Sequence, residues 1–119
     1  MATTKQKKVA RLVQKELGEI FQKKSRSHFE GKMITVTVVR ISPDLLIAKV
    51  YLSIYPSQNN TKILSLIKHY GSEIRYDLGN RIRNQVRKIP ELNFFIDDSL
   101  DYIDNIDRLL NQDRNKKSD

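Results

Sequence analysis

MITVTVVRISPDLLIAKVYLSI, residues 33–54, is two runs of β-branched and apolar residues on either side of a turn. In 33–41, Ile34, Val36 and Val38 alternate with Thr35 and Thr37, the period of a strand with one apolar face. In 45–54, Ala48, Val50, Leu52 and Ile54 share one face and Lys49, Tyr51 and Ser53 the other. Ser42-Pro43-Asp44 between them is turn chemistry: proline fixes φ, and the flanking side chains bond nearby backbone. A connection this short makes the pair an antiparallel hairpin. Everything else in the chain has to cover its apolar face.

Upstream, residues 4–24 read as a helix. Val9, Leu12, Val13, Leu17, Ile20 and Phe21 recur at i, i+3, i+4, one buried stripe. Lys5, Lys7, Lys8, Arg11, Lys15, Lys23 and Lys24 lie off that stripe. Thr3 or Thr4 is the expected cap, Gly18 weakens the middle by about 1 kcal/mol relative to alanine, and SRSHFEGK, 25–32, is a loop. Downstream, 60–69 and 72–87 are two helical stretches with Gly71 as the bend between them and Ser72 as a cap candidate. Glycine there permits a backbone bend that other residues resist. Pro90 blocks further helix. ELNFFID, 91–97, is a third strand with Leu92, Phe94 and Ile96 on one face. Ser99 begins a last helix whose stripe is Leu100, Ile103, Ile106 and Leu110, and 112–119 is a polar tail expected to lack structure.

The 119 residues are enough for one domain with one core. They contain no cysteine, which excludes disulfides and zinc-thiolate sites. No apolar run approaches the ~18 residues that span a bilayer, and the first residues lack the apolar centre of a signal peptide. The expected location is the cytosol. The net charge of +8 is unevenly spread. Residues 1–90 hold 18 Lys/Arg against 6 Asp/Glu, and 91–119 hold 4 against 8. The basic block points to a polyanion. The acidic block has a structural reading: Asp97, Asp98 and Asp101 stand at the start of the last helix, where carboxylates favour the macrodipole. They lack the calcium-loop pattern and its central glycine, so no metal site is expected. Two histidines without a nucleophile motif or P-loop give no catalytic constellation, so no enzyme and no cofactor are expected.

The order is therefore α-β-β-α-bend-α-β with a closing helix, an α+β layer of helices on one face of a three-stranded sheet. That is the second topological form of the K-homology domain. The Gly-x-x-Gly loop by which such domains clamp single strands is absent, and His69-Tyr70-Gly71 joins the helices instead. At this level the sequence resembles the ribosome-binding factor A family over about residues 5–110. The resemblance rests on segments in order: Arg11-Leu12 and 17–20 in the first helix, 36–54 with Ser42, Asp44-Leu45 and 48–51, then Ile74-Arg75, Arg87, Pro90-Glu91-Leu92, Phe94 and 97–99. It implies a K-homology-like fold over 1–111 in which an Ala-x-Gly kink replaces the glycine loop. Gly71 matches the glycine, and His69 stands in the place of the alanine. It also implies binding to the free or immature 30S subunit and its 16S rRNA, help in late maturation and rRNA processing, an association with growth in the cold, and no catalysis.

Candidate RNA contacts are the cations Lys5, Lys7, Lys8, Arg11 and Lys15 on the first helix and Lys68, Arg75, Arg81, Arg83, Arg87 and Lys88 around the second helix pair. Such groups bind phosphate by releasing counterions, so affinity should fall steeply with salt. Arg75 also has a local reading, an ion pair with Glu73 or Asp77. Tyr51, Tyr55 and Tyr70 could stack on bases, but packing at a sheet edge is the expectation. Phe94 is expected in the core. No membrane and no small-molecule substrate are implied, and a monomer is expected. Two alternatives remain open: a generic single-stranded RNA-binding or RNA-chaperone module, and a protein adaptor that uses the acidic C-terminal helix.

Overall fold

The computed structural model describes residues 3–56 and 58–97. The elements follow in the order α1 (Thr4–His28), β1 (Met33–Ile41), β2 (Ile47–Tyr55), α2 (Asn60–His69), α3 (Gly71–Ile82) and β3 (Glu91–Ile96). The expected C-terminal helix from Ser99 and the tail lie outside the described residues. β2 is the central strand, antiparallel to β1 and parallel to β3. α2 and α3 are the crossover that the parallel pairing requires. The α+β, K-homology-like order with one kinked helix pair is therefore present.

The inward residues of the strands, Ile34, Val36, Val39, Ile41, Ala48, Val50, Leu52, Ile54 and Phe94, join one core with the apolar stripes of the three helices. α1 lies over β1 and against α3, and α2 lies over β3. Phe94 meets Phe21 edge-on at 6.0 Å, as expected of a core ring.

In β1 the alternation read from the sequence breaks. A bulge between Val36 and Val38 shifts the register, so Val39 is buried and Val38 is exposed. The bulge is held from two sides. The Gln14 amide of α1 donates to the carbonyls of Val36 (3.0 Å) and Thr37 (3.3 Å), and the Thr37 hydroxyl donates to Asp97 Oδ2 at 2.6 Å. An extra residue leaves ladder groups without partners, and Gln14 supplies one.

Three boundaries also move. α3 ends at Ile82, five residues short of the expected 87, and 83–90 carries no helix. α1 runs to His28, through half of the expected loop, because Phe29 is fully buried against Phe21 at 5.8 Å and draws the last turn inward. Arg26 and His28 in that turn suit the helix C-terminus. β2 starts at Ile47, two residues later than expected, because Leu45 takes a left-handed conformation (φ 64°) that ends the turn. Asp44 Oδ1 there accepts from the Ser42 hydroxyl (2.6 Å) and the Leu46 N–H (3.1 Å). At the other end of α1, Thr3 caps the helix in a reciprocal box with Gln6. Gln6 is buried, and its amide also donates to the Ile41 carbonyl at 2.8 Å, tying the start of α1 to the end of β1.

Candidate nucleic-acid interface

The stripe that buries α1 fixes where its cations go. With Gln6, Val9, Val13, Leu17, Ile20 and Phe21 inward, Lys5, Lys7, Lys8, Arg11 and Lys15 are all exposed. Among the described residues none of the five has an ion pair or side-chain hydrogen bond. The fold then brings together cations that are far apart in sequence. Lys5 and Lys8 line one groove with Arg87 and Lys88, about 540 Å³ in volume. Lys88 also borders a second groove of about 610 Å³ with Arg75, Arg83 and the exposed ring of Tyr76. A basic band thus runs from the start of α1 past the segment before β3 to α3. Lys68 is exposed at the end of α2 and lines neither groove.

A third groove of about 750 Å³ lies between α1 and the free edge of β1. Lys15, Lys23, Arg26 and Lys32 line it, and among the described residues no carboxylate does. Arg26 and Lys32 were not singled out from the sequence. The signal was the length of α1: a helix read as ending at 24 leaves Arg26 and Lys32 in an unplaced loop. Lys32 is partly engaged, since its ammonium donates to the carbonyls of Pro56 (3.1 Å) and Gln58 (3.0 Å).

Two candidate arginines have intramolecular work. Arg81 Nη1 meets Glu16 Oε2 at 3.0 Å and Glu19 Oε2 at 2.6 Å, tying α3 to α1. The Glu16 hydrogen bond, joined by Glu19, raises its pKa against the opposing effect of burial. Arg75 makes neither of the ion pairs weighed for it. Its Nε donates to the Pro90 carbonyl (3.1 Å) and its Nη2 to the Ile89 carbonyl (2.7 Å), clasping the segment that enters β3. Glu73 and Asp77 pair instead with Lys24, at 3.3 and 2.9 Å. Burial lowers the Lys24 pKa, but Asp77 and then Glu73 outweigh it and the net shift is upward. His28 adds a contact to Glu73 at 3.2 Å.

The kink has a different cause from the one expected. α2 ends at His69 and α3 begins at Gly71, so the break falls on Tyr70, with φ −89° and ψ 12°. That is the bridge region, sparsely populated but reached without glycine. The Tyr70 N–H still reaches the Leu66 carbonyl, and the Ile74 N–H reaches the Tyr70 carbonyl, both at 2.9 Å. Gly71 has no positive φ, and a Cβ there would meet nothing within 4 Å. Ser72 lies inside α3 rather than capping it. The Tyr70 ring packs edge-on against His28 (4.5 Å) and Phe29 (6.1 Å), at the end of α1 and not at the sheet edge expected for it. His69 is exposed, so a side chain larger than alanine fits without displacing anything in the core.

This arrangement of sheet, kinked helix pair and basic band can be set beside known proteins. The sequence model of the ribosome-binding factor A family matches residues 5–110. The chain belongs to that family. Ribosome-binding factor A of Cytophaga hutchinsonii is 48% identical over 112 residues, 94% of this chain and 84% of the relative. That of Christiangramia forsetii is 43% identical over 109 residues, 91% of this chain and 83% of the relative. The crystal structure of ribosome-binding factor A from Thermus thermophilus superposes with a TM-score of 0.65 at 20% identity, covering 76% of this chain and 94% of that one. A Thermus thermophilus homology model fitted into a cryo-EM map of a complex with the 30S subunit superposes with a TM-score of 0.58 at 23% identity, covering 72% of this chain and 88% of that one. At these identities the structures support the fold. Within the family frame, Arg75 stands as the clasp on the entry to β3, and the Asp44-Leu45 pair as the turn that sets β2.

Proposed function

We propose that this protein binds the free or immature 30S ribosomal subunit through 16S rRNA and assists late small-subunit maturation and rRNA processing, as a binding factor without catalytic chemistry. The observation that carries the reading is membership of the ribosome-binding factor A family over nearly the whole chain, with a Thermus thermophilus relative placed in a 30S complex. The physical means is the basic band. Lys5, Lys7, Lys8, Arg11 and Lys15 present cations along α1 that have no partner among the described residues, and Arg83, Arg87 and Lys88 continue them; Lys68 adds a separate positive point. Each phosphate neutralised adds to the salt dependence of binding, by about 0.9 in log–log slope on duplex and about 0.7 on single strands. Arg75 and Arg81 hold the band in place from within. The protein acts as a cytosolic monomer.

The test is sedimentation of cell extract on sucrose gradients at low and high salt, with the triple change Lys7→Glu, Lys8→Glu and Arg11→Glu alongside. Wild type is expected to travel with free small subunits and to leave them as salt rises. The triple variant is expected at the top of the gradient at moderate salt. Equal spread of the wild type over all ribosomal species would replace this reading with a generic RNA binder. Unchanged migration of the triple variant would remove α1 from the contact surface.

A further inference from the structure

The face of the sheet turned away from the helices is uncovered among the described residues. One row across it is Val38, Tyr51 and Phe95, since Val38 pairs with Tyr51 and Tyr51 with Phe95. Phe95 is 41% exposed, and its ring lies stacked on Tyr51 with centroids 5.4 Å apart and planes 28° from parallel. The next row holds Arg40 directly opposite Lys49. Both are exposed, and among the described residues neither has an ion pair. Like charges facing each other across a strand pair destabilise a sheet, and nothing in the fold draws on this one. Two carboxylates near this face stand at its ends, Glu91 opening β3 and Asp97 just past it. Asp97 accepts from the Thr37 hydroxyl, and Glu91 borders the groove of Arg75.

We propose that this open face is a second RNA contact, a stacking platform for a single-stranded segment. It rests on the RNA-binding reading above and lies outside the basic band. An unpaired base lies on Phe95, whose ring Tyr51 backs and orients, and Arg40 with Lys49 holds an adjacent phosphate. Two residues along a strand span roughly 6.7 Å, so the rings and the cations are one short step apart. Stacking is tolerant of base identity, because every base has a π-face. An apolar protein segment would gain from Val38 and Phe95 but would bury two unpaired cations, which is costly. A partner that is both anionic and planar satisfies both rows. Tyr51, read from the sequence as edge packing, then has its packing and its function in the same contact.

The test uses the full chain. Binding of a fluorescein-labelled ten-nucleotide oligouridylate is followed by anisotropy at three salt concentrations, beside co-pelleting with purified 30S subunits. Phe95→Leu keeps apolar bulk and removes the ring; Arg40→Gln with Lys49→Gln removes the charge pair. Phe95→Leu is expected to weaken oligouridylate binding about 5- to 150-fold at an unchanged melting temperature. The double variant is expected to lower the salt slope by about 0.7, one phosphate contact. If both bind like wild type while the α1 triple variant loses binding, the platform is overturned and the 30S reading stands. A lower melting temperature for Phe95→Leu with unchanged oligouridylate affinity would show the face covered by protein, which also overturns it. Wild type that pellets with 30S subunits but ignores the oligouridylate overturns the platform alone. Oligouridylate binding that depends on Phe95, without any 30S pelleting, would keep the platform and reject the ribosomal target.

Discussion

Gln6→Met should be among the costlier single polar-to-apolar changes in this chain, although the residue sits in the first turn of a basic, exposed-looking segment. The side chain is 7% exposed. Its amide nitrogen donates to Ile41 O at 2.8 Å, and its carbonyl accepts from Thr3 N at 2.7 Å. Methionine conserves the volume, so no large cavity term enters. What is lost is the donor to Ile41, leaving a buried carbonyl unsatisfied at about 1–3 kcal/mol. Half of the capping box is lost as well, where water can replace part of the bond. A net loss of about 2 kcal/mol is expected from urea unfolding at pH 7. Lys7→Gln, one residue on and exposed, is expected within about 0.5 kcal/mol of wild type. Gln6→Glu sharpens the test. Its carboxylate still accepts from Thr3 but faces the Ile41 carbonyl without a proton to donate. It should be less stable than Gln6→Met at neutral pH. Burial raises a carboxyl pKa above the ordinary ~4.3, so stability should return as pH falls through that raised value and the acid becomes a donor. If Gln6→Met is as stable as wild type, or if Gln6→Glu shows no recovery toward acid, the Gln6–Ile41 bond does not hold α1 to β1.

Gly71→Ala should stay within about 0.5 kcal/mol of wild type, because the bend lies at Tyr70 and a Cβ meets open space; a loss above about 1.5 kcal/mol in thermal or urea melts would return the kink to glycine. Gly18→Ala, in the middle of α1 with nothing within 4 Å of the added carbon, should stabilise by about 0.5–1 kcal/mol, and a destabilised variant would refute the open space drawn there. The upward shift of Lys24 means its pairing with Asp77 and Glu73 contributes fully below the unfolded lysine value and is lost as pH rises through the folded one. Alkaline unfolding followed by circular dichroism should therefore shift to lower pH in Asp77→Asn. The Asp44 carboxyl is held below its ordinary value by the Ser42 hydroxyl first and the Leu46 N–H second. Its contribution is present above the unfolded value and fades as pH falls through the lower folded one, so Ser42→Ala should move the Asp44 titration, read by NMR, back toward pH 3.8.

The hairpin, the α1 stripe and the Gly-marked helix pair were legible because each is a periodicity, and burial follows period. The bulge at Thr37 was not. Val38 and Val39 are equally apolar, and which one turns inward depends on Gln14, 23 residues before Thr37, and on Asp97. Nothing in the sequence marks Gln6 and Gln14, since a glutamine on a basic helix carries no sign that its amide answers a strand carbonyl. The basic block was legible as charge. Its division was not: Arg75 and Arg81 differ from Arg83 and Arg87 only in what the fold places within reach. The glycine rule failed at Gly71 for a related reason, since it names what a residue permits and not what the backbone adopts.

The parallel pairing of β3 with β2 bears on how the chain folds. β1 and β2 are closed by a five-residue connection, whereas β3 finds β2 only after the 35 residues between Tyr55 and Glu91 have been looped out. Loop closure costs more as the loop lengthens, though slowly, and helix formation in α2 and α3 shortens the path that must close. The Arg75 clasp on Ile89 and Pro90 then delivers β3 to its place. The sheet is complete only once the kinked helix pair has bridged that separation, so the six residues of β3 depend for their place on a segment several times their length.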